Sequence, residues 1–322
     1  MSFKFYLFLI AAFVLLALVA VSSGGASISL GDIVKFFTFG ELDETKKLIL
    51  TQIRLPRLVL GILIGALLAT SGVVVQSVFL NPLADPYIIG IASAATFGAV
   101  IAYLLGLSDV FYGIFAFLAA SGLSLVIFKL AAHTRSISTL LIVGIAVSSF
   151  LGAFTSFAVY LIGEDSFRIT AWMMGYLGGA NWQKIALLLP PLLFCMAYFY
   201  AKRHELNIIL NGDEEAKSLG LNVEKSKKSL LIVSSLIIGF SVAFTGMIGF
   251  VGLIIPHTLR MALHTASNAV LIPASALTGG LFLLFCDVIA KNILSPVEIP
   301  IGVVTSFFGA PFFLYLAFRK HA

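Results

Sequence analysis

The stretch LVLGILIGALLATSGVVVQSVF, Leu58 to Phe79, runs for 22 residues without a charge. A helix that crosses a bilayer needs ~20 consecutive, mostly apolar residues, so this stretch is long enough to span. A strand of a membrane barrel would alternate apolar and polar residues over ~10-residue segments, and neither this stretch nor Leu140 to Ile162 does so. In lipid a helix satisfies its own backbone, which makes helices the spanning elements here. Small residues recur at Gly61, Gly65, Ala69 and Gly72. That spacing lets another helix approach closely, and packing within a bundle explains it better than a dedicated dimerisation motif.

The rest of the chain has the same character. Of its 322 residues 60% are hydrophobic and 11% charged, and the mean hydropathy is +1.08, outside the range of soluble domains. Hydropathy alone gives nine spans, centred near Leu15, Ile64, Ala95, Leu118, Ala146, Leu193, Ile237, Leu277 and Phe308. The longest polar segments, Ser22 to Thr51 and Lys202 to Ser229, are too short to bury cores of their own. Residues 1–322 therefore read as a single transmembrane domain. Phe5 to Val21, before Ser22-Ser23-Gly24-Gly25-Ala26, invites comparison with a cleaved signal peptide. Its apolar run exceeds the ~7–15 residues of a signal core, which favours an uncleaved first span.

The net charge of +5 does not point to nucleic acid, because the basic residues cluster at span ends and in short loops, as membrane topology requires. Cys195 and Cys286 lie in apolar stretches, where a thiol behaves as a small hydrophobe, and neither a disulfide nor a metal site follows. No Gly-rich loop ends in Gly-Lys-Ser or Gly-Lys-Thr, so any ATP must be handled by a partner.

With Lys4 in the cytoplasm, alternation puts Lys129, His133, Arg135 and the basic stretch Lys202 to Lys228 inside, as the positive-inside rule wants. Nine crossings would then leave Arg319, Lys320 and His321 outside. A tenth crossing restores the rule, and Thr245 to His264 is the place for it. There Gly246, Gly249, Gly252 and Pro256 interrupt an apolar region that also carries Arg260. Irregular backbone at membrane depth is tolerated only where protein or a watery cavity satisfies it, so this region belongs in the interior.

Three polar motifs punctuate the spans. Arg54-Leu55-Pro56-Arg57 opens the second one on the side assigned as external, with proline suited to a first helical turn. Two arginines placed against the positive-inside bias read either as interfacial anchors or as a docking point for an acidic partner. Asn81-Pro82-Leu83-Ala84-Asp85-Pro86 is by its chemistry a turn. Gly212-Asp213-Glu214-Glu215-Ala216-Lys217-Ser218-Leu219-Gly220 reads as a short helix with acids in its first turn and glycine as its C-cap. It is a solvated connector or a handle for a cytoplasmic motor.

These motifs, with Phe250-Val251-Gly252-Leu253-Ile254-Ile255-Pro256-His257 and Glu298-Ile299-Pro300-Ile301-Gly302-Val303-Val304-Thr305, resemble in order and spacing the FecCD family of permeases, importers of ferric siderophores, haem and cobalamin. The resemblance runs from the first helix to Gly309-Ala310-Pro311-Phe312. It implies an all-α polytopic membrane bundle of about ten transmembrane helices with a cytoplasmic coupling helix, in agreement with the charge argument. It also implies a second permease copy, most simply as a homodimer, with the path at the dimer axis. Two ATPase subunits inside, which would carry ATP and Mg, and one extracytoplasmic binding protein complete the implied assembly. No cofactor or metal is expected on this chain.

By the same resemblance Arg54, Arg57 and Lys291 receive acidic residues of the binding protein. Lysine at 291 replaces the more usual arginine and offers a point charge in place of a bidentate fork. Asp287, four residues earlier, can pair with Lys291 on one helix face, and that is the competing reading. Glu215, Ala216, Leu219 and Gly220 would form the ATPase contact, and Asn81, Leu83, Ser138 and Thr139 the cytoplasmic gate. Ser267-Asn268 departs from the His-Arg common at that place in the family.

The mechanism so implied is alternating access driven by ATP hydrolysis in partner subunits, in a bacterial inner membrane. The expected cargo is an iron chelate, a ferric siderophore ahead of haem or cobalamin. Phe154, Phe157, Tyr160, Trp172 and Met173 are candidates to line its path. An ion-gradient-driven secondary transporter is the rival, and it would need ionisable groups deep in the spans. Only Asp287, near a helix end, approaches that description. A membrane enzyme finds no support, since neither a clustered metal set nor a nucleophile with an adjacent base is evident.

Overall fold

The computed structural model describes residues 3–24, 28–40, 42–87, 90–134 and 137–319, and among these every regular element is helical. In chain order the helices are α1 (Phe3–Ser22), α2 (Leu30–Phe39), α3 (Glu44–Ile49), α4 (Leu55–Val78), α5 (Ile91–Leu104), α6 (Asp109–Thr134), α7 (Ile137–Ile162), α8 (Phe167–Met173), α9 (Trp182–Ala201), α10 (Arg203–Ile209), α11 (Asp213–Ser218), α12 (Val223–Thr245), α13 (Val251–Leu263), α14 (Asn268–Asn292) and α15 (Ile301–Arg319). Six apolar stretches are long enough to cross a membrane, within Glu44–Val78, Val110–Ile127, Ile142–Met173, Trp182–Ala201, Val223–Thr245 and Asn268–Asn292. Four shorter apolar helices join them, Leu9–Ser22, Ile91–Leu104, Val251–Leu263 and Ile301–Tyr315, giving among the described residues the ten expected.

The crossing that hydropathy alone overlooks is α13. It is short because its ends are broken: Phe250 before it and His264 after it both adopt left-handed backbone, with φ of 68° and 48°. For a side chain other than glycine that conformation costs roughly 1–2 kcal/mol, so packing must hold it. The Phe250 ring lies against Gly309 of α15, where even a methyl group would collide with it.

The quoted stretch forms most of α4, the centre of the bundle, which packs against α14, α13, α12 and α9. Its small residues serve contacts within the chain. Methyl groups on Gly65 and Gly72 would collide with the backbone carbonyls of Gly279 in α14 and Gly252 in α13. Such backbone approach substitutes for the hydrophobic drive that helices lack in lipid.

The start of this span differs from the sequence expectation. The helix begins at Glu44, where Asp43 accepts hydrogen bonds from the Thr45 and Lys46 amides at 3.2 and 3.4 Å. It continues through a π turn at Leu50–Arg54, in which the Leu55 N–H reaches back to the Leu50 carbonyl. The wider turn accommodates Pro56, which has no N–H to donate. The polar segment ahead of it also folds: Ser29 and Asp32 form a capping box for α2, and Val21, Ile28, Ile33 and Leu50 bury a small cluster. Lys46, 2.9 Å from Asp32, and the Ser29 backbone N–H hold that carboxyl down to about 2.

Candidate coupling and translocation site

The functional motifs gather at the two ends of the bundle. At the end that the charge pattern assigns to the cytoplasm, α4 runs out at Leu80, whose φ of 51° turns the chain as a glycine ordinarily would. The Asn81 N–H returns to the Gln76 carbonyl at 3.1 Å, and the Asn81 side chain accepts from the Leu83 N–H at 3.0 Å. Asp85 accepts from the Tyr87 N–H at 2.7 Å. Burial pushes the Asp85 carboxyl up to about 6, against the opposing effect of that N–H. Of the four gate candidates, Asn81 is exposed and Leu83 half-buried. Ser138 and Thr139 open α7, and their side chains lie outside the described residues, as do Arg135, Lys320 and His321.

Beside this turn stands α11. Gly220, at φ 83°, closes it as expected, with the Gly220 and Leu221 N–H groups returning to the Lys217 and Ala216 carbonyls at 2.9 and 3.1 Å. Glu215, Leu219 and Gly220 are exposed. Ala216 is fully buried, which corrects its assignment to an outward contact: it seats α11 on its own chain. Lys227 of α12 ties down the other end through Asp213 at 2.6 Å. At Glu205, burial favours the neutral acid but hydrogen bonds from Lys202 and Ser226 outweigh it, so its carboxyl titrates below the usual range.

A set of contacts that the sequence did not announce joins α10, the helix just before α11, to the end of α4. Asn207 of α10 accepts from both the backbone and side-chain N–H groups of Asn268, at 2.8 and 3.0 Å. Ser77, one turn before Asn81, donates its hydroxyl proton to the Val73 carbonyl at 2.8 Å and stands 3.2 Å from the Asn268 side-chain carbonyl oxygen. Asn268 is fully buried, so the departure from His-Arg at this place has a structural use. Nearby, Gln76 donates to the Gly252 and Leu253 carbonyls at 3.2 Å and accepts from Arg260. Its signal in sequence was a lone amide inside an apolar run.

At the opposite end the three docking candidates come together, but not exposed at a rim. Arg57 reaches Asp287 through Nε and Nη2 at 3.0 and 2.9 Å, and Glu298 through Nη1 at 2.9 Å. Lys291 pairs with Asp287 at 3.1 Å and donates to the Ala20 carbonyl at 3.0 Å, while Arg54 donates to the Val21 carbonyl. All three cations are below one-tenth exposed. The pairing of Lys291 with Asp287 is thus present, and the expected exposure is corrected. A charge taken out of water needs partners, and two carboxylates with the last carbonyls of α1 supply them. Glu298 is the part of this cluster that reaches solvent, its side chain 35% exposed.

The aromatic candidates divide. Phe154, Phe157 and Tyr160 stand exposed on one side of α7, with Phe154 edge-on to Phe97 of α5 at 5.2 Å. Trp172 and Met173, on α8, instead pack half-buried against the core, Trp172 edge-on to Tyr112 at 6.5 Å. They do not share the α7 flank, because the turn at Gly163–Ser166 redirects the chain.

Ten apolar helices around a glycine-packed centre, with a short exposed helix at one end and an ion-pair cluster at the other, define a polytopic membrane transport subunit. The chain belongs to the FecCD transport family, whose profile matches residues 10–319. It is 43% identical over 278 residues to the cobalamin import system permease protein BtuC of Halobacterium salinarum, covering 85% of this chain and 74% of that one. It is 36% identical over 327 residues to the hemin transport system permease protein HmuU of Yersinia pestis, covering 97% and 95%. Among solved structures, a metal-chelate type ABC transporter in an inward-facing conformation superposes with a TM-score of 0.87 at 30% identity, over 98% of this chain and 99% of that one. The relatives are permease subunits of ABC importers.

Proposed function

We propose that this chain is the membrane permease of a binding-protein-dependent importer in a bacterial cytoplasmic membrane, carrying a bulky metal-organic chelate between two copies of itself. Within that class, the relatives named for cobalamin and hemin favour macrocyclic chelates as the first candidates, ahead of the ferric siderophore expected from sequence. The observation that carries the reading is α11, an exposed short helix seated on its own chain by Ala216 and the Asp213–Lys227 pair, and preceded by α10, whose Asn207 reaches the end of α4 by way of Asn268. An autonomous transporter has no use for such a handle.

In this mechanism two ATPase subunits bind ATP and Mg and grip Glu215, Leu219 and Gly220, and their closure moves the handle. The motion passes to the Asn81 turn, and with Leu83, Ser138 and Thr139 that turn opens or shuts the path. Phe154, Phe157 and Tyr160 face the second copy and pass the cargo between broad apolar surfaces. The ATPase supplies the energy, since a two-state element moves only when something binds its states unequally. The binding protein docks at the end bearing Arg54, Arg57 and Lys291. Because these are held internally, docking there exchanges Glu298 for a partner carboxylate on Arg57.

The rival, coupling to an ion gradient, needs a free ionisable group in the spans. Asp287, the one acid that approached that description in sequence, is tied to Arg57 and Lys291. The deciding experiment on cargo is uptake by the reconstituted complex offered cobalamin, haem, ferric catecholate and ferric hydroxamate in turn. Selective uptake of one chelate supports the reading, and uptake of none of them with a loaded binding protein present refutes it.

A further inference from the structure

At the cytoplasmic end a cavity of about 370 Å³ separates the α4 turn from the loop that leads into α11. Gln76, Leu80 and Asn81 form one side of it, Leu210 and Asn211 the other, and Arg260 of α13 enters it. Arg260 is partly buried, yet among the described residues no carboxylate lies within ion-pair distance of it. The hydrogen bond it makes goes to the neutral Gln76 carbonyl oxygen, and Gln76 is fixed in that orientation by its own bonds to Gly252 and Leu253. A guanidinium carries five N–H donors, and a charge withdrawn from water is ordinarily matched by an opposite one. No Asp or Glu is among the cavity's lining residues. Asn81, whose carbonyl oxygen is taken by the Leu83 N–H, has its amide N–H groups left to donate, and Asn211 adds a second amide at the mouth.

We infer that this cavity binds a phosphate-type oxyanion on Arg260, with Asn81 and Asn211 as flanking donors. Leu80 and Leu210 offer an apolar wall for whatever carries the anion. Basic pockets between helices at the cytoplasmic face of a membrane suit lipid phosphate groups, and free phosphate has the same chemistry. An anion held there joins the turn that ends α4 to the loop that begins the handle, and so stiffens the link between them. This rests on the reading of α11 as a handle only for its consequence, since the binding itself is measured without transport.

The test uses the permease with its ATPase partner in nanodiscs, reading the thermal unfolding midpoint and the lipid retained in native mass spectra. Discs of a phosphate-free neutral galactolipid alone, the same discs with added phosphatidylglycerol, and the same discs with inorganic phosphate separate the two sources. The expected result is a raised midpoint with phosphatidylglycerol or with phosphate. In Arg260→Gln the apparent affinity should fall about tenfold or more, as loss of one charge-assisted contact implies. Asn211→Trp, made at an exposed position, should fill the mouth and abolish the response without disturbing the core, so the inference stays decidable even where Arg260→Gln fails to fold. A response to phosphatidylglycerol alone identifies a lipid headgroup, and a response to phosphate in the neutral discs identifies the free anion. No response to either, a response unchanged in both variants, or one that appears only after the ATPase is removed overturns it, the last because an acidic side chain of the partner then fills the cavity.

Discussion

The spans containing α4 and α7 are both apolar, yet 72% of the apolar window in the first is buried within the chain and 17% in the second. Helix α4 presents Gly65, Ala69 and Gly72 to its neighbours, which lets backbones touch, while α7 presents Phe150, Phe154 and Phe157 to the outside. One helix is therefore settled by the chain itself and the other awaits lipid or a second copy. Within a single subunit the centre carries the fold, and the α7 flank is left open to an outside contact.

The sharpest way to break that contrast is Gly72→Leu, which drives a side chain into the Gly252 carbonyl. Overpacking of this kind should cost about 3 kcal/mol or more and yield no monodisperse folded protein, as size exclusion and thermal unfolding would report. A wild-type melting profile would mean that α4 is not the fixed centre. Arg57→Ala comes next, because it leaves Asp287 with Lys291 alone. A loss on the order of 3 kcal/mol is expected from chemical unfolding. The companion Glu298→Gln, at a partly exposed position, should leave stability nearly unchanged and speed association with the binding protein. Slower association would show that Glu298 does not compete for Arg57.

Further effects are expected at the turn after α4 and at α11. The folded-state value of Asp85, about 6, lies above its ordinary 3.8, so the fold disfavours the ionised form. Stability from this group is fully present below about pH 3.8 and is lost as pH rises through about 6, a change of about 3 kcal/mol at most. Asp85→Asn should flatten that slope between pH 4 and 6, and an unaltered slope would place the titration elsewhere. Gly220→Val should strain the left-handed cap of α11 by about 1 kcal/mol or more, sparing the fold but lowering coupled transport. Retained transport and substrate-stimulated ATPase activity would count against the handle. The least effect on the isolated subunit should come from Phe157→Ala on α7, within about 0.5 kcal/mol by unfolding, while the dimer fraction in detergent drops. An unchanged dimer fraction would assign that flank to lipid.

How much of this was legible in the sequence depended on whether the cause was local. The tenth crossing could be read from charge parity, and the close packing of α4 from glycine spacing. The left-handed cap at Gly220 followed from the residue type alone. The burial of Arg54, Arg57 and Lys291 could not be read, because their partners at Ala20, Val21, Asp287 and Glu298 lie far along the chain. Only the Asp287–Lys291 pair, four residues apart, showed itself. The inward turn of Ala216 and the separation of Trp172 from the α7 stripe likewise depend on where a short helix lands. Leu80 hid its role because a leucine holds the conformation that a glycine would have advertised.

The claim that this chain is a passive path worked by an external motor is tested most directly by uptake into vesicles containing the permease, its ATPase partner and ATP, with the loaded binding protein outside. The account predicts accumulation that requires ATP hydrolysis and all three components, and that persists when ionophores collapse the proton and sodium gradients. Accumulation by the permease alone, driven by an imposed gradient and abolished by the ionophore, would contradict it.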